Sequence, residues 1–425
     1  MKTLLLTLLL LPVLLFARSG IVSGVPLPKT YVLNLDPYEC DTDCLEDLVD
    51  HEQFFSLLAQ MPEPIEDEEL NEQRLIYVAL FNIDGAVIGT GVRFALLLPE
   101  RVIGRYAAST TNSVLAYLLG KNRDFELKTF NIGTESPDDI RAGLSAVSQE
   151  HFHYVIAPFT KKGAETLVQL RPRCNVYLPT VNIADVNATE LEEDDGHFYF
   201  GGIDYRAQIG KLVENATPPL VIFYDQSALG EELKNAAESA YMERFSDDDP
   251  LSYEAAGRAV YAYPIDKRTT NLKHILDQNE RLQHGTFLLN TPLIKSAMIM
   301  SQLTLYDANA TQVLATQIGY NSMLFDITQP QDREHMLVAN SIGKQNGVLV
   351  ESNKLLQNDI EYDWINYATT LGVDYFYSLA AGTPREYTIP IEDHQVAYPV
   401  TLYRAGISKF ALLDEEEEDE GSLFE

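Results

Sequence analysis

Four apolar runs decide the fold: Val92–Leu98 (VRFALLL), Phe125–Ile132 (FELKTFNI), Tyr154–Phe159 (YVIAPF) and Asn175–Val181 (NVYLPTV). Between them lie stretches with helical periodicity, roughly Tyr106–Leu119, Asp138–Gln149 and Lys162–Leu170. Strands that alternate with helices of this length predict βαβ units and a parallel sheet. Ligands of such sheets sit outside the carboxyl ends of the strands. The loop Ala157-Pro158-Phe159-Thr160-Lys161-Lys162 falls at such an end.

The alternation resumes downstream. A crossing at Gly201–Tyr205 is followed by a helix at Arg206–Asn215, a strand at Pro219–Asp225 and a long helix at Ala228–Phe245. The strands Ala259–Ile265, Thr286–Asn290 and Gln312–Ile318 follow, with helices at Thr270–Leu282 and Ile294–Leu305 between them. Two βα series joined by one crossing imply two similar lobes with a cleft between them. The expected division gives lobe 1 about 91–203 and 324–385, and lobe 2 about 204–323 and 386–413. A helix over Glu361–Ala381 and a closing hairpin from Tyr387–Pro390 and Ala397–Tyr403 complete it.

Upstream, residues 43–60 and 67–81 read as two helices separated by Pro62 and Pro64, a short helical hairpin within a segment 18–90 that ends in a glycine-rich linker, Asp84–Gly91. Lys2, the apolar run Leu4–Phe16 and Ala17-Arg18-Ser19 have the layout of a cleavable secretory signal over 1–17. No later segment reaches membrane length. The tail, 414–425, opens with seven acidic residues, Asp414–Glu420.

Of 425 residues, 63 are acidic and 31 are Lys or Arg, a net charge of −32. That balance argues against nucleic acid and anionic membrane surfaces as partners, both of which require a basic footprint, and its plain reading is solubility. The three cysteines are Cys40, Cys44 and Cys174. In an oxidising compartment Cys40 and Cys44 are the expected pair. Two positions four apart inside a helix are too far for a disulfide, so Cys40 must precede the helix that carries Cys44, with Asp41 or Thr42 as cap. Cys174 precedes an apolar strand and reads as a buried free thiol.

The order of these elements resembles the type 1 periplasmic-binding-protein fold. The motifs Leu97-Leu98-Pro99, Tyr154-Val155-Ile156-Ala157-Pro158, Leu178-Pro179-Thr180-Val181-Asn182, Val221-Ile222-Phe223-Tyr224-Asp225 and Leu371-Gly372-Val373-Asp374-Tyr375 carry the resemblance over about Gly91–Leu413. Within that superfamily, Ala157-Pro158-Phe159-Thr160-Lys161, Leu167 and Thr180-Val181-Asn182 look closest to periplasmic activators of penicillin-binding proteins. This chain departs from them in having no lipidated cysteine and a single helical pair. The resemblance implies a non-catalytic protein in the periplasm of a Gram-negative cell. Its role would be to bind a small ligand in the interlobe cleft for uptake or sensing, with a membrane transporter as partner. The rival is a scaffold that regulates peptidoglycan synthesis, with a cell-wall synthase as partner.

No Gly-x-Ser-x-Gly elbow, phosphate loop or His-Glu-x-x-His motif is present, so neither enzyme chemistry nor a cofactor is expected. His151 and His153 alternate before a strand, where a two-ligand metal site competes with plain surface histidines; no metal is expected. Thr160 and Lys161 open a helix, whose free N–H groups favour an anion, with Thr160 equally a plain cap. The ligand contacts expected are Thr160, Lys161, Glu100, Asn182 and Tyr205, the first by resemblance to amino-acid-binding members. Glu100, Gly133, Thr160 and Asn182 follow four successive strands, which predicts a small anionic ligand at that edge. Asn187 and Asn309 each follow an acidic residue at −2 and precede Ala-Thr, which resembles the acceptor pattern of bacterial N-glycosylation.

Overall fold

The structure is a computed structural model that describes residues 32, 34, 40–65, 67–80, 92–121, 123–186, 197–214, 216–245 and 250–413. The expected signal segment, the linker Asp84–Gly91, Asn187 and the acidic tail lie outside the described residues. By packing, the chain divides into residues 1–92, 115–126 and 346–357 on one hand, and 93–114, 127–345 and 358–425 on the other.

In the first unit the expected hairpin is instead three helices, Thr42–Asp50, Phe54–Gln60 and Glu68–Leu80. The apolar spacing runs on through residues 51–53, but Glu52 adopts a left-handed backbone (φ 55°) and breaks the helix there. A small core of Leu45, Leu57, Met61 and Leu70 holds the three together. Arg74, nearly buried, donates through Nε to the Met61 carbonyl (2.8 Å) and through Nη2 to that of Pro62 (2.5 Å), fastening the last helix to the proline turn. Cys40 and Cys44 form a disulfide with Cα atoms 5.4 Å apart. Cys40 precedes the helix, and Asp41 caps it by accepting the Cys44 N–H at 3.1 Å, the arrangement the spacing demanded.

The second unit is built on two seven-stranded sheets. The first has the order β11-β12-β5-β4-β3-β1-β2, from β1 (Val92–Leu98), β2 (Phe125–Asn131), β3 (Tyr154–Ile156), β4 (Asn175–Leu178), β5 (Phe198–Phe200), β11 (Ile391–Glu392) and β12 (Gln395–Val396). The second has the order β14-β13-β10-β9-β8-β6-β7, from β6 (Leu220–Asp225), β7 (Val260–Ile265), β8 (Thr286–Asn290), β9 (Gln312–Ala315), β10 (Met336–Asn340), β13 (Thr401–Ala405) and β14 (Phe410–Leu412). β1, β3, β4 and β5 pair in parallel, as do β6 to β10, while β13 and β14 close the second sheet antiparallel. The central strands β1, β6 and β8 are almost wholly buried, as strands covered on both faces must be, which is why they read as unbroken apolar runs.

The lobe boundaries drawn from sequence need two corrections. β10, assigned to lobe 1, pairs with β9 in the second sheet (Met336↔Val313). The hairpin β11–β12, assigned to lobe 2, joins the first through Gln395↔Phe200. The chain therefore crosses back later than the sequence indicated. The helix expected over Thr270–Leu282 is only the turns Lys273–Leu276 and Glu280–Leu282, broken by Gln278 at φ 55°.

The helix Trp364–Ala381 covers the first sheet. Gly372 on it and Gly201 before the crossing both abut the ring of Tyr177: a Cβ at either would lie 2.2 Å or less from a ring or hydroxyl atom. Tyr177, fully buried, donates its hydroxyl to the Ala368 carbonyl at 2.8 Å.

Candidate functional site

The helix Lys161–Leu170 starts at the carboxyl end of β3. Thr160 caps it, accepting the Gly163 N–H at 3.3 Å. The anion expected at this helix end is supplied by the chain itself. Glu135, half-buried in the loop after β2, accepts the Thr160 N–H at 2.7 Å and also the Thr160 hydroxyl. A free helix N-terminus carries about half a positive charge, and a carboxylate there is stabilising. Gly163 makes the approach possible: a Cβ at that position would lie 2.4 Å from the Glu135 carboxyl carbon. Thr160 is exposed but already engaged.

This contact has a measurable weight. Thr160→Val is expected to lower stability by about 0.5–2 kcal/mol through the lost cap. Glu135→Gln is expected to cost about 1–2 kcal/mol, since a hydrogen bond to a charged group is worth more than a neutral one. Urea midpoints with unchanged slopes measure both, and wild-type midpoints in the two variants would show that Glu135 does not hold the helix end.

The other expected contacts separate. Asn182 is buried and spends its amide on the chain: Nδ2 donates to the Gly202 carbonyl (3.1 Å) and Oδ1 accepts the Ala184 N–H (3.0 Å). It fixes the crossing. Tyr205 begins the helix Tyr205–Val213 half-buried, its ring edge-on to Trp364 at 6.5 Å. Burial pushes its hydroxyl pKa up, with Tyr106 adding to the effect. Glu100 is exposed on the short helix Glu100–Ile103. Gly133 has φ 73°, and its carbonyl accepts the Arg101 N–H at 2.9 Å, tying the loops after β1 and β2.

Lys161 alone of the five lines a cavity of about 750 Å³ that draws on both lobes. The second lobe contributes Arg206 from the helix Tyr205–Val213, and Glu231, Glu232 and Glu243 from the helix Ala228–Glu243. Ser227 caps the latter by accepting the Gly230 N–H at 3.0 Å. Arg206 pairs with Glu232 at 2.7 Å. Lys161 reaches Asp185 at 3.9 Å, a loose contact between partly exposed groups. Burial raises the Asp185 pKa, Glu232 across the gap raises it further, and Lys161 and Arg206 offset part of this. The cavity wall thus carries both signs, Lys161 and Arg206 with Glu231, Glu232 and Glu243, and Asp185 stands beside Lys161. Glu135, Asp185, Arg206 and Glu232 were not singled out from sequence, because each meets its partner through tertiary packing.

Of the remaining expectations, Asn309 is exposed in a left-handed turn (φ 48°), donating from Nδ2 to Gln283 Oε1 and the Asp307 carbonyl, both at 3.1 Å. His151 and His153 are exposed. Among the described residues no three His, Cys, Asp or Glu side chains are grouped to hold a metal ion, and no helix is long and apolar enough to cross a membrane.

No family model matches the sequence, and no curated protein matches it. Solved structures do. The leucine-binding protein LivK of Thermotoga maritima superposes with a TM-score of 0.51 at 12% identity, over 76% of this chain and 97% of that one. An extracellular ligand-binding receptor from Verminephrobacter eiseniae gives 0.51 at 12%, over 76% and 99%. A solute-binding protein from R. palustris, in complex with 4-hydroxybenzoate, gives 0.50 at 11%, over 76% and 95%. The likeness lies in the fold: two lobes, each an α/β sheet, preceded here by a helical region.

Proposed function

We propose that this chain, which has the type 1 periplasmic-binding-protein fold, is a non-catalytic binder of a small polar ligand held between its lobes, serving solute uptake or sensing outside the cytoplasm. The observation that supports this reading is the cavity of about 750 Å³ on the helices Tyr205–Val213 and Ala228–Glu243 of the second lobe, to which the first lobe contributes Lys161. Its size is within the range of about 300–1,000 Å³ usual for small-molecule sites. A scaffold that had abandoned ligand binding would plug the gap with large apolar side chains, whereas the lining here is charged, polar or small. The proteins it resembles are named for leucine and, in one complex, for 4-hydroxybenzoate. The disulfide Cys40–Cys44 supports an oxidising compartment.

The chemistry of the wall favours a ligand of both charges over the anionic one considered from sequence. The helix end at Thr160 is taken by Glu135, and the cavity wall holds Lys161 and Arg206 together with Glu231, Glu232 and Glu243. That pattern suits an ampholyte: a carboxylate against the cations and an amine against the acids, as in an amino acid or short peptide. A thermal-shift screen against amino acids, short peptides, sugars and muropeptide fragments tests it. A ligand at 100 times its Kd adds about 2.7 kcal/mol to stability. We expect a zwitterion to raise the Tm of the wild type and to lose its effect in Arg206→Ala and Glu232→Gln. If only sugars or nothing shift the Tm, or if both variants respond as wild type, the site is not this cavity.

A further inference from the structure

Among the described residues the chain passes between the two sheets three times. It leaves β5 through residues 201–204, leaves β10 through residues 341–345 on the way to the helix Trp364–Ala381, and runs from β12 to β13 through residues 397–400. A change in the angle between the lobes must be absorbed by backbone rotation in these segments. Two of them carry glycine: Gly201 and Gly202 in the first, Gly343 in the second. Their freedom is nonetheless restricted by what surrounds them. A Cβ at Gly202 would lie 2.2 Å from the Val181 carbonyl carbon, and the Gly202 carbonyl accepts both Asn182 Nδ2 and Gln395 Nε2 at 3.1 Å.

Tyr398, on the third segment, donates its hydroxyl to the Gly201 carbonyl at 2.6 Å, which ties the third segment to the first. Desolvation raises the pKa of that hydroxyl well above the ordinary value, with Tyr177 and Tyr367 adding to the effect, so it stays a donor. The Tyr398 ring packs against Tyr367 on the covering helix, centroids 6.2 Å apart, and Tyr367 meets Tyr387 at 5.9 Å. On the second segment a Cβ at Gly343 would lie 3.0 Å from the Tyr367 hydroxyl. Two residues on, Gln345 donates Nε2 to the Gly343 carbonyl (2.6 Å) and accepts the Tyr387 hydroxyl. Packing alone would be served equally by phenylalanine. The hydroxyls of Tyr398 and Tyr387 are instead spent on crossing segments.

We propose that Tyr398, Tyr367 and Tyr387 form a latch that fixes the angle between the lobes, and with it the distance from Lys161 to Arg206 and Glu232 across the cavity. All three crossings are thereby fastened to one another and to the helix that covers the first sheet. The latch acts whatever the cavity binds, so its test uses no ligand and its outcome is separate from that of the thermal-shift screen.

Pulsed dipolar spectroscopy measures the interlobe distance between nitroxides at Ala142→Cys and Ser301→Cys. These positions are exposed on helices of the first and second lobes. Cys174, free and half-buried rather than buried, is changed to serine in the labelled protein. One narrow distance is expected with the latch intact. Tyr398→Phe should broaden it, and Gly343→Ala, whose Cβ presses on the Tyr367 hydroxyl, should shift its mean. Ser296→Ala is the control for general loosening: it removes a buried hydroxyl that donates to the Thr291 carbonyl at 3.0 Å inside the second lobe. It should lower the Tm and leave the distance unchanged. Hydrogen exchange gives a second readout. The Gly202 N–H, bonded to the Val181 carbonyl at 2.9 Å, should exchange about tenfold faster in Tyr398→Phe, while amides of β1 and β6 keep their protection. A broad distribution with the latch intact, an unchanged distance in both Tyr398→Phe and Gly343→Ala, or an equal change in Ser296→Ala would each overturn the proposal.

Discussion

Replacing Asp374 with alanine is expected to destabilise the two-lobed unit by about 3–5 kcal/mol, the usual consequence of removing one member of a buried ion pair. Asp374 is fully buried on the helix Trp364–Ala381. Its carboxylate accepts from Arg385 Nε at 3.1 Å and from the Glu386 N–H at 2.8 Å. Arg385, mostly buried itself, donates Nη1 to the Ile389 carbonyl at 2.8 Å. One carboxylate thus fastens the middle of the covering helix to the segment that leads back to β11. Alanine there leaves the guanidinium buried without its counter-charge, which costs more than the bond itself contributes. Asp374→Asn retains the shape and one acceptor, so its cost should be smaller. The double variant Asp374→Leu with Arg385→Met should recover part of the loss, because it leaves no uncompensated charge. Urea unfolding followed by circular dichroism measures all three. A loss below about 1 kcal/mol for Asp374→Ala would mean that water reaches the pair and that it acts like a surface bridge.

The two lobes were legible because their strands are buried on both faces. Leu220–Asp225 and Thr286–Asn290 needed no alternation to be recognised, and they occur almost residue for residue. β10 was missed for a local reason. It follows the short helix Leu324–Ile327 and the single turn Pro330–Arg333, too brief to show a period. The break at residues 51–53 was missed because a left-handed Glu52 has no sequence mark comparable to glycine. At the site, the cap at Thr160 could be read because capping is local. Its occupant Glu135 could not, since it arrives from another strand's loop 25 residues earlier. The same holds for Arg206 and Glu232, 26 residues apart and brought together only by two packed helices. Local chemistry was visible in the sequence; pairing across elements required the fold.

Arg333 should be the second position where a single change is severe. It is 1% exposed, and its guanidinium serves carbonyls rather than a carboxylate in the bonds it makes. Nη1 donates to the Thr328 carbonyl (2.7 Å) and to its hydroxyl (2.8 Å), Nε to the Gly406 carbonyl (3.1 Å), and Nη2 to the Ile407 carbonyl. The group also lies 5.0 Å over the ring of Phe325. Burial lowers its pKa from the ordinary value, and Asp332 offsets part of that. The fork therefore joins the turn at residue 328 to the loop between β13 and β14, fixing the edge of the second sheet. Arg333→Met keeps most of the volume but abandons several acceptors at once. The Thr328 carbonyl and hydroxyl are buried, and each left unpaired costs about 1–3 kcal/mol, whereas the Gly406 and Ile407 carbonyls are only partly buried and cost less. Relaxation towards water lowers the sum, so a loss of about 3–5 kcal/mol is expected. Arg333→Lys should recover only part of it, because a point ammonium cannot reach both loops as a planar fork does. Hydrogen exchange locates the effect: amides of β13 and β14 should lose protection before those of β6 and β8. If Arg333→Lys matches the wild type in stability, the planar fork is not what joins the two loops, and charge alone suffices at this position.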